Sequence, residues 1–119
     1  MNDKLQKLAE CLPKELDRKI DDEGALLLQD PDAPSLWIVL EPGRSDVFNG
    51  SALFLLLDAM EKAGTRPTLC PPFVNGSAGY MVKVHYVLEG RHTEHVGATR
   101  TEAIVDAALA VFGAKGGGA

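Results

Sequence analysis

Residues Tyr80-Met81-Val82-Lys83-Val84-His85-Tyr86-Val87-Leu88 alternate in character, and their reading decides the fold. A strand turns successive side chains to opposite faces. The spacing therefore puts Tyr80, Val82, Val84, Tyr86 and Leu88 on one face and Met81, Lys83, His85 and Val87 on the other. Such a strand is half covered and central, so it needs neighbours on both sides. Downstream, Glu89-Gly90 turns the chain into a shorter, more polar strand over residues 92–96. Upstream, residues 66–74 read as a strand broken by Pro67, Pro71 and Pro72. Proline cannot donate to a ladder, which confines this strand to an edge. Asn75-Gly76 is the turn signal that joins it to the central strand. The three strands form an antiparallel meander.

A helix flanks the meander on each side. Residues 51–63 are the clearest helix in the chain, with Asn49 or Ser51 as N-cap and Gly64 at the left-handed closing position. Leu53, Leu56, Leu57 and Met60 share one stripe. Phe54 and Leu55 project away from it, Leu55 almost opposite. The last helix opens at Thr99 or Thr101 and runs to about Phe112, with Ile104, Ala107, Ala108, Val111 and Phe112 inward. Gly113 is expected to stop it.

Before this unit, Leu5, Leu8, Leu12, Leu16 and Ile20 recur at helical spacing. Pro13 interrupts them, which predicts a kink or two short helices. Residues 25–29 and 36–40 form a hairpin around Asp30-Pro31-Asp32-Ala33-Pro34, whose prolines and aspartates favour turns. Residues 41–50 are a loop. The predicted fold is α+β: an antiparallel sheet, made of the N-terminal hairpin and the three-stranded meander, with packed helices. It is a single domain over 1–119, divided into a helical segment 1–23, a hairpin and loop 24–50, an α-β-β-β-α unit 51–112 and a flexible glycine tail 113–119.

Composition excludes several classes of function. The 119 residues carry 12 lysines and arginines against 17 aspartates and glutamates, a formal net charge of -5. That balance argues against a protein that works by neutralising phosphates. The longest apolar run, residues 52–57, is far short of the roughly 20 residues of a membrane span. The polar start, Met1-Asn2-Asp3-Lys4, has no apolar signal region, so a cytoplasmic protein is expected. Cys11 and Cys70 lie far apart without a C-x-x-C pattern and read as buried free thiols.

Two stretches carry a resemblance. Ala52-Leu53-Phe54-Leu55-Leu56-Leu57-Asp58-Ala59-Met60-Glu61-Lys62 and Ala98-Thr99-Arg100-Thr101-Glu102-Ala103-Ile104-Val105-Asp106-Ala107-Ala108-Leu109 flank the meander. They resemble the helices of the phage ABA-sandwich family. In that family a helix rich in alanine, aromatic and valine residues and ending in Glu-Lys-Leu precedes a meander. The closing helix has the form Ala-x-Thr-x-x-Ala-Ile-x-x-Ala-Ala-Leu; here its first threonine is shifted by one. The resemblance covers residues 51–112 and extends to residues 16–20 and Trp37. It implies a fold and a phage or prophage setting, hence the cytoplasm of a host cell, and supplies no catalytic residues. The α-β-β-β-α order also resembles the double-stranded RNA-binding domain, in which lysines at the start of the last helix grip phosphates. Here only Arg100 stands in that place, and Glu102 would repel phosphate.

Catalytic and metal chemistry find little support. His85, His92 and His95, with Glu94 or Cys70, are the candidate ligands for zinc or manganese, as in a metal-dependent hydrolase. Alternation sends His92 and His95 to opposite faces unless a bulge intervenes. Cys70 with His85, or Ser77 with His95, lacks any nucleophile-elbow sequence, and the glycines of 75–79 precede no helix. No catalytic residue, metal or cofactor is predicted. The remaining candidates are surfaces. Asp21, Asp22 and Glu23, with Asp17, Asp30 and Asp32, form an acidic group that could mimic nucleic acid toward a basic partner, or could simply solvate a helix end. Phe54 and Leu55 are surplus apolar surface unless the N-terminal segment or the hairpin folds over them. The expected function is a non-enzymatic phage-type accessory protein acting by protein–protein contact with another protein or with a second copy. Inhibition of a host defence complex is one such role. A double-stranded-RNA-binding-like module using Arg100 is the alternative, and a metal-dependent hydrolase the third.

Overall fold

The structure is a computed structural model and describes residues 2–41, 43–70 and 79–117. In chain order the elements are α1 (Asn2–Cys11), β1 (Arg18–Ile20), β2 (Leu26–Asp30), β3 (Ala33–Leu40), α2 (Gly50–Lys62), β4 (Thr65–Cys70), β5 (Tyr80–Tyr86), β6 (Arg91–Gly97) and α3 (Arg100–Gly117). The class is α+β, as the hydrophobic periods predict, and the last five elements are the α-β-β-β-α unit. The strands divide into two antiparallel sheets, β1-β2-β3 and β4-β5-β6. The sequence reading had a single sheet in view.

The first sheet gains its third strand because residues 16–20 do not continue the first helix. Pro13 has no N–H to donate, and its ring drives the preceding residue away from helical dihedrals, so α1 ends at Cys11. Arg18 holds the turn that follows. Its guanidinium donates to the carbonyls of Ala9 (2.8 Å), Pro13 (2.6 Å) and Leu16 (3.0 Å), satisfying acceptors that the end of the helix leaves open. Leu12 and Leu16 remain buried without being helical, and Ile20 lies partly exposed on β1. The β1 strand then pairs with β2, Arg18 opposite Leu28 and Ile20 opposite Leu26.

The β2–β3 hairpin is tighter than its prolines suggested, with Pro31-Asp32 alone between the strands and a register shift at Gln29/Asp30. The meander keeps the predicted alternation. Val82 and Val84 are fully buried, Tyr80 and Tyr86 pack beside the core, and Leu88 is bare in the turn. The β4 strand forms one edge and contains Pro67; Pro71, Pro72 and the Asn75-Gly76 turn lie outside the described residues.

Helix α2 closes at Gly64, whose φ of +95° is the left-handed position that favours glycine. Thr65, buried, donates its hydroxyl to the Met60 carbonyl at 2.7 Å and ties the helix end to β4. Helix α3 opens on Thr99, whose hydroxyl accepts the N–H of Glu102, while the Glu102 carboxylate accepts the N–H of Ala98. It runs through Gly113 to Gly117, past the expected stop. Once Val111 and Phe112 are packed, each added turn extends a formed helix, and an interior glycine costs only about 1 kcal/mol against alanine. Leu5 and Leu8 of α1, Leu26, Leu28 and Leu40 of the first sheet, Val82 and Val84 of the second, and the inner faces of α2 and α3 form one core.

Candidate interaction surface

The outward face of α2 lies between the two sheets. Ala52, Leu53, Leu56 and Met60 turn inward, Leu55 and Leu57 are half-buried at the flanks, and Phe54 stands 69% exposed on the crest. A helix presents residues three and four apart on one side, so Phe54, Asp58, Glu61 and Lys62 make up the outward stripe. Lys62 pairs with Asp58 at 3.0 Å, and hydrogen bonding and the charges of Asp58 and Asp32 hold its ammonium above the ordinary lysine value.

Hollows open on both sides of this crest. One, of about 590 Å³, lies between α2 and the α1–β1 turn; Pro13, Leu16, Leu55 and Phe112 line it, with Glu15, Asp58 and Lys62 at its rim. It continues into a second hollow of about 350 Å³ beside the β2–β3 turn, where Asp30 and Asp32 face Phe54 and Leu55. On the far side Phe54 and Leu57 meet Val47 and Leu69, both exposed, in shallower depressions along β4. Leu55 is therefore half-covered by the N-terminal segment and the hairpin turn, whereas nothing in the described chain covers Phe54.

The predicted acidic group is split. Asp21 is a turn-builder: its Oδ1 accepts the N–H groups of Glu23 and Ala25, both at 2.9 Å. Asp21, Asp22 and Glu23 occupy the β1–β2 loop, at the opposite end of β2 from Asp30 and Asp32, a separation of about 13 Å at 3.3 Å per residue. The acidic residues that join Phe54 and Leu55 are Asp30, Asp32 and Asp58. Sequence reading missed Asp58 because i,i+4 pairing with Lys62 reads as ordinary helix-surface charge.

Arg100 is engaged at the start of α3. Its N–H donates to Asp46 Oδ2 at 3.1 Å, and its guanidinium lies 5.2 Å from the Tyr80 ring centre. Asp46 also accepts the N–H (2.9 Å) and hydroxyl (2.8 Å) of Thr101. Partial burial works against the Asp46 charge, but the Thr101 and Arg100 hydrogen bonds and the Arg100 charge outweigh it and hold the carboxyl below its ordinary value. A carboxylate thus occupies the N-terminus of α3 and accepts its free N–H groups. Asn49 completes this corner. Fully buried ahead of α2, it turns its side chain back to Glu41 and across to Thr101 instead of capping the helix.

The histidines divide as alternation requires. His85 and His92 are cross-strand partners on the exposed face of the second sheet, ring centres 5.5 Å apart, beside the Lys83–Glu94 pair. His95 lies on the inner face opposite Val82, sharing a hydrogen bond of 2.8 Å with the Thr93 hydroxyl. Burial lowers its pKa, against a weaker pull from Asp106. Among the described residues no group of three His, Cys, Asp or Glu side chains is placed to hold a metal ion. Both cysteines are free and half-buried. Burial pushes the Cys11 thiol up, and its S–H points to the Leu8 carbonyl, which makes it a poor nucleophile. Ser77 lies outside the described residues. Among the described residues no helix is long and apolar enough to cross a membrane.

Comparison with known proteins adds no relative: no family model, no curated protein and no solved structure matches the chain.

Proposed function

We propose that the protein is a non-enzymatic binding module that works by protein–protein contact through the outward face of α2. Phe54 carries the reading. A phenylalanine in mid-helix, 69% exposed, forgoes most of the roughly 1.5 to 3 kcal/mol that full burial would contribute, and aromatic residues, phenylalanine among them, are enriched in the cores of protein interfaces. The hollows on either side of it give a partner's side chains places to enter. The resemblance to phage ABA-sandwich proteins supports a phage or prophage setting and the host cytoplasm as its place of work. Within that setting the role is that of an accessory protein occupying a surface of a host defence complex.

The test is affinity capture from bacterial lysate with the native chain and Phe54→Asp in parallel, and light scattering on both. Because Phe54 is exposed, the substitution leaves the fold intact, and matched far-ultraviolet spectra verify this. A stoichiometric partner, or a dimer, present with the native chain and lost with Phe54→Asp is the expected result. A strictly monomeric chain that captures the same proteins with and without Phe54 sinks the proposal.

A further inference from the structure

The charges around the α2 crest have one dominant sign. Among the described residues six carboxylates, Glu15, Asp30, Asp32, Asp46, Asp58 and Glu61, line the hollows along its two flanks, against the two cations of Lys62 and Arg100. Lys62 is itself bound to Asp58 and feels Asp32, so the rim is negative overall. An apolar floor beneath a negative rim selects among partners. A second copy docking by two-fold symmetry would set these carboxylates against themselves. Nucleic acid and anionic lipid would meet like charge. A positively charged partner with an apolar face satisfies both features at once.

We infer, building on the binding role proposed above, that the occupant is an amphipathic basic helix of another protein, laid along α2. One of its apolar side chains enters the hollow beside Leu16 and Leu55, and its lysines or arginines face Asp30, Asp32 and Asp58. The dimensions fit. Thirteen residues of α2 make a platform about 20 Å long at 1.5 Å per residue, the reach of three to four turns of a partner helix. Recognition of this kind uses apolar anchors at i, i+4 and i+7 in a groove. Charges within about 10 Å of one another remain coupled at 0.1 M salt, so the rim steers the basic face during encounter.

The probe is a fluorescein-labelled 18-residue helical peptide with leucines on one face and lysines on the other, beside an identical peptide carrying glutamate for every lysine. Both are titrated with the full chain by fluorescence anisotropy at low and high salt. The lysine peptide is expected to bind, more weakly at high salt, and the glutamate peptide not to bind. Asp30→Asn with Asp32→Asn weakens the lysine peptide about fivefold, consistent with two rim charge pairs, and flattens the salt dependence. Asp22→Asn with Glu23→Gln removes the same charge from the β1–β2 loop and leaves affinity unchanged. Absent binding, equal binding of the two peptides, or equal weakening by the two double variants overturns the inference. If a natural partner is lost with Phe54→Asp but ignores the Asp30/Asp32 variant, the basic-helix chemistry falls and the α2 surface stands. If Phe54→Asp changes nothing, both fall.

Discussion

Replacing Asn49 with alanine removes the polar clip between the loop before α2 and the start of α3. The side chain is fully buried and makes three hydrogen bonds: Oδ1 accepts the Glu41 N–H at 3.0 Å, and Nδ2 donates to the Glu41 carbonyl at 3.1 Å and the Thr101 hydroxyl at 3.3 Å. At a net value near 1 kcal/mol each, Asn49→Ala costs about 3 kcal/mol. With a urea slope of about 1.5 kcal/mol per molar, the unfolding midpoint falls by about 2 M with the slope unchanged. Asn49→Asp separates hydrogen bonding from packing. A carboxylate there accepts the Glu41 N–H but turns its second oxygen toward the Glu41 carbonyl, so at pH 7 this variant is at least as unstable as Asn49→Ala. Burial and the neighbouring Asp46 raise the folded-state pKa of the new carboxyl above its unfolded value. The folded form then binds the proton more tightly, and the deficit relative to Asn49→Ala shrinks as pH falls through that raised value. Urea unfolding followed by circular dichroism at pH 7 and pH 5 measures both effects. An Asn49→Ala midpoint within about 0.3 M of the native chain, equivalent to about 0.5 kcal/mol, refutes the role given to this clip.

Arg18→Met keeps the aliphatic stem and removes three donors to backbone carbonyls; the expected loss is about 2 kcal/mol, read as a lowered urea midpoint. Gly97→Ala sets a new Cβ 2.6 Å from Glu102 Cβ and 2.7 Å from the Ala103 nitrogen, so α3 must shift; overpacking of this kind costs about 1 to 3 kcal/mol, and thermal unfolding should show it. The Asp46 carboxyl, held below its ordinary value of 3.8, contributes stability above that pH, lost as pH falls through the lower folded-state value. Asp46→Asn therefore flattens the stability profile below about pH 4, and a profile identical to that of the native chain counts against the hydrogen-bond geometry.

The meander and the two helices beside it were legible in the residues because each is specified locally. Val82 and Val84 alternate with Lys83 and His85 at period two, the Leu53, Leu56 and Met60 stripe repeats at helical spacing, and Gly64 and Thr99 are terminal signals that act within one turn. The separation of His95 from His92 followed from strand parity, whereas the pairing of His85 with His92 came only from the β5–β6 register. The N-terminal region misled for a definable reason. Leu12 and Leu16 keep helical spacing and are buried, yet burial requires only that they face the core, which an irregular turn held by Arg18 also achieves. Helical period is thus not proof of helix once a proline intervenes.

The candidate surface divides in the same way. The sequence by itself determined the α+β class, the α-β-β-β-α order and the fact that Phe54 points off the buried stripe, since these depend on residues no more than a turn or a strand apart. Tertiary structure alone decided that the strands form two sheets, that the α1–β1 turn half-covers Leu55, and that Asp30, Asp32 and Asp58 gather at Phe54 while Asp21, Asp22 and Glu23 remain at the far end of β2. Packing of distant segments carries no local period. Which charges share a surface is set by how β1 pairs with β2 and how α2 lies between the sheets, and only the folded chain holds that geometry.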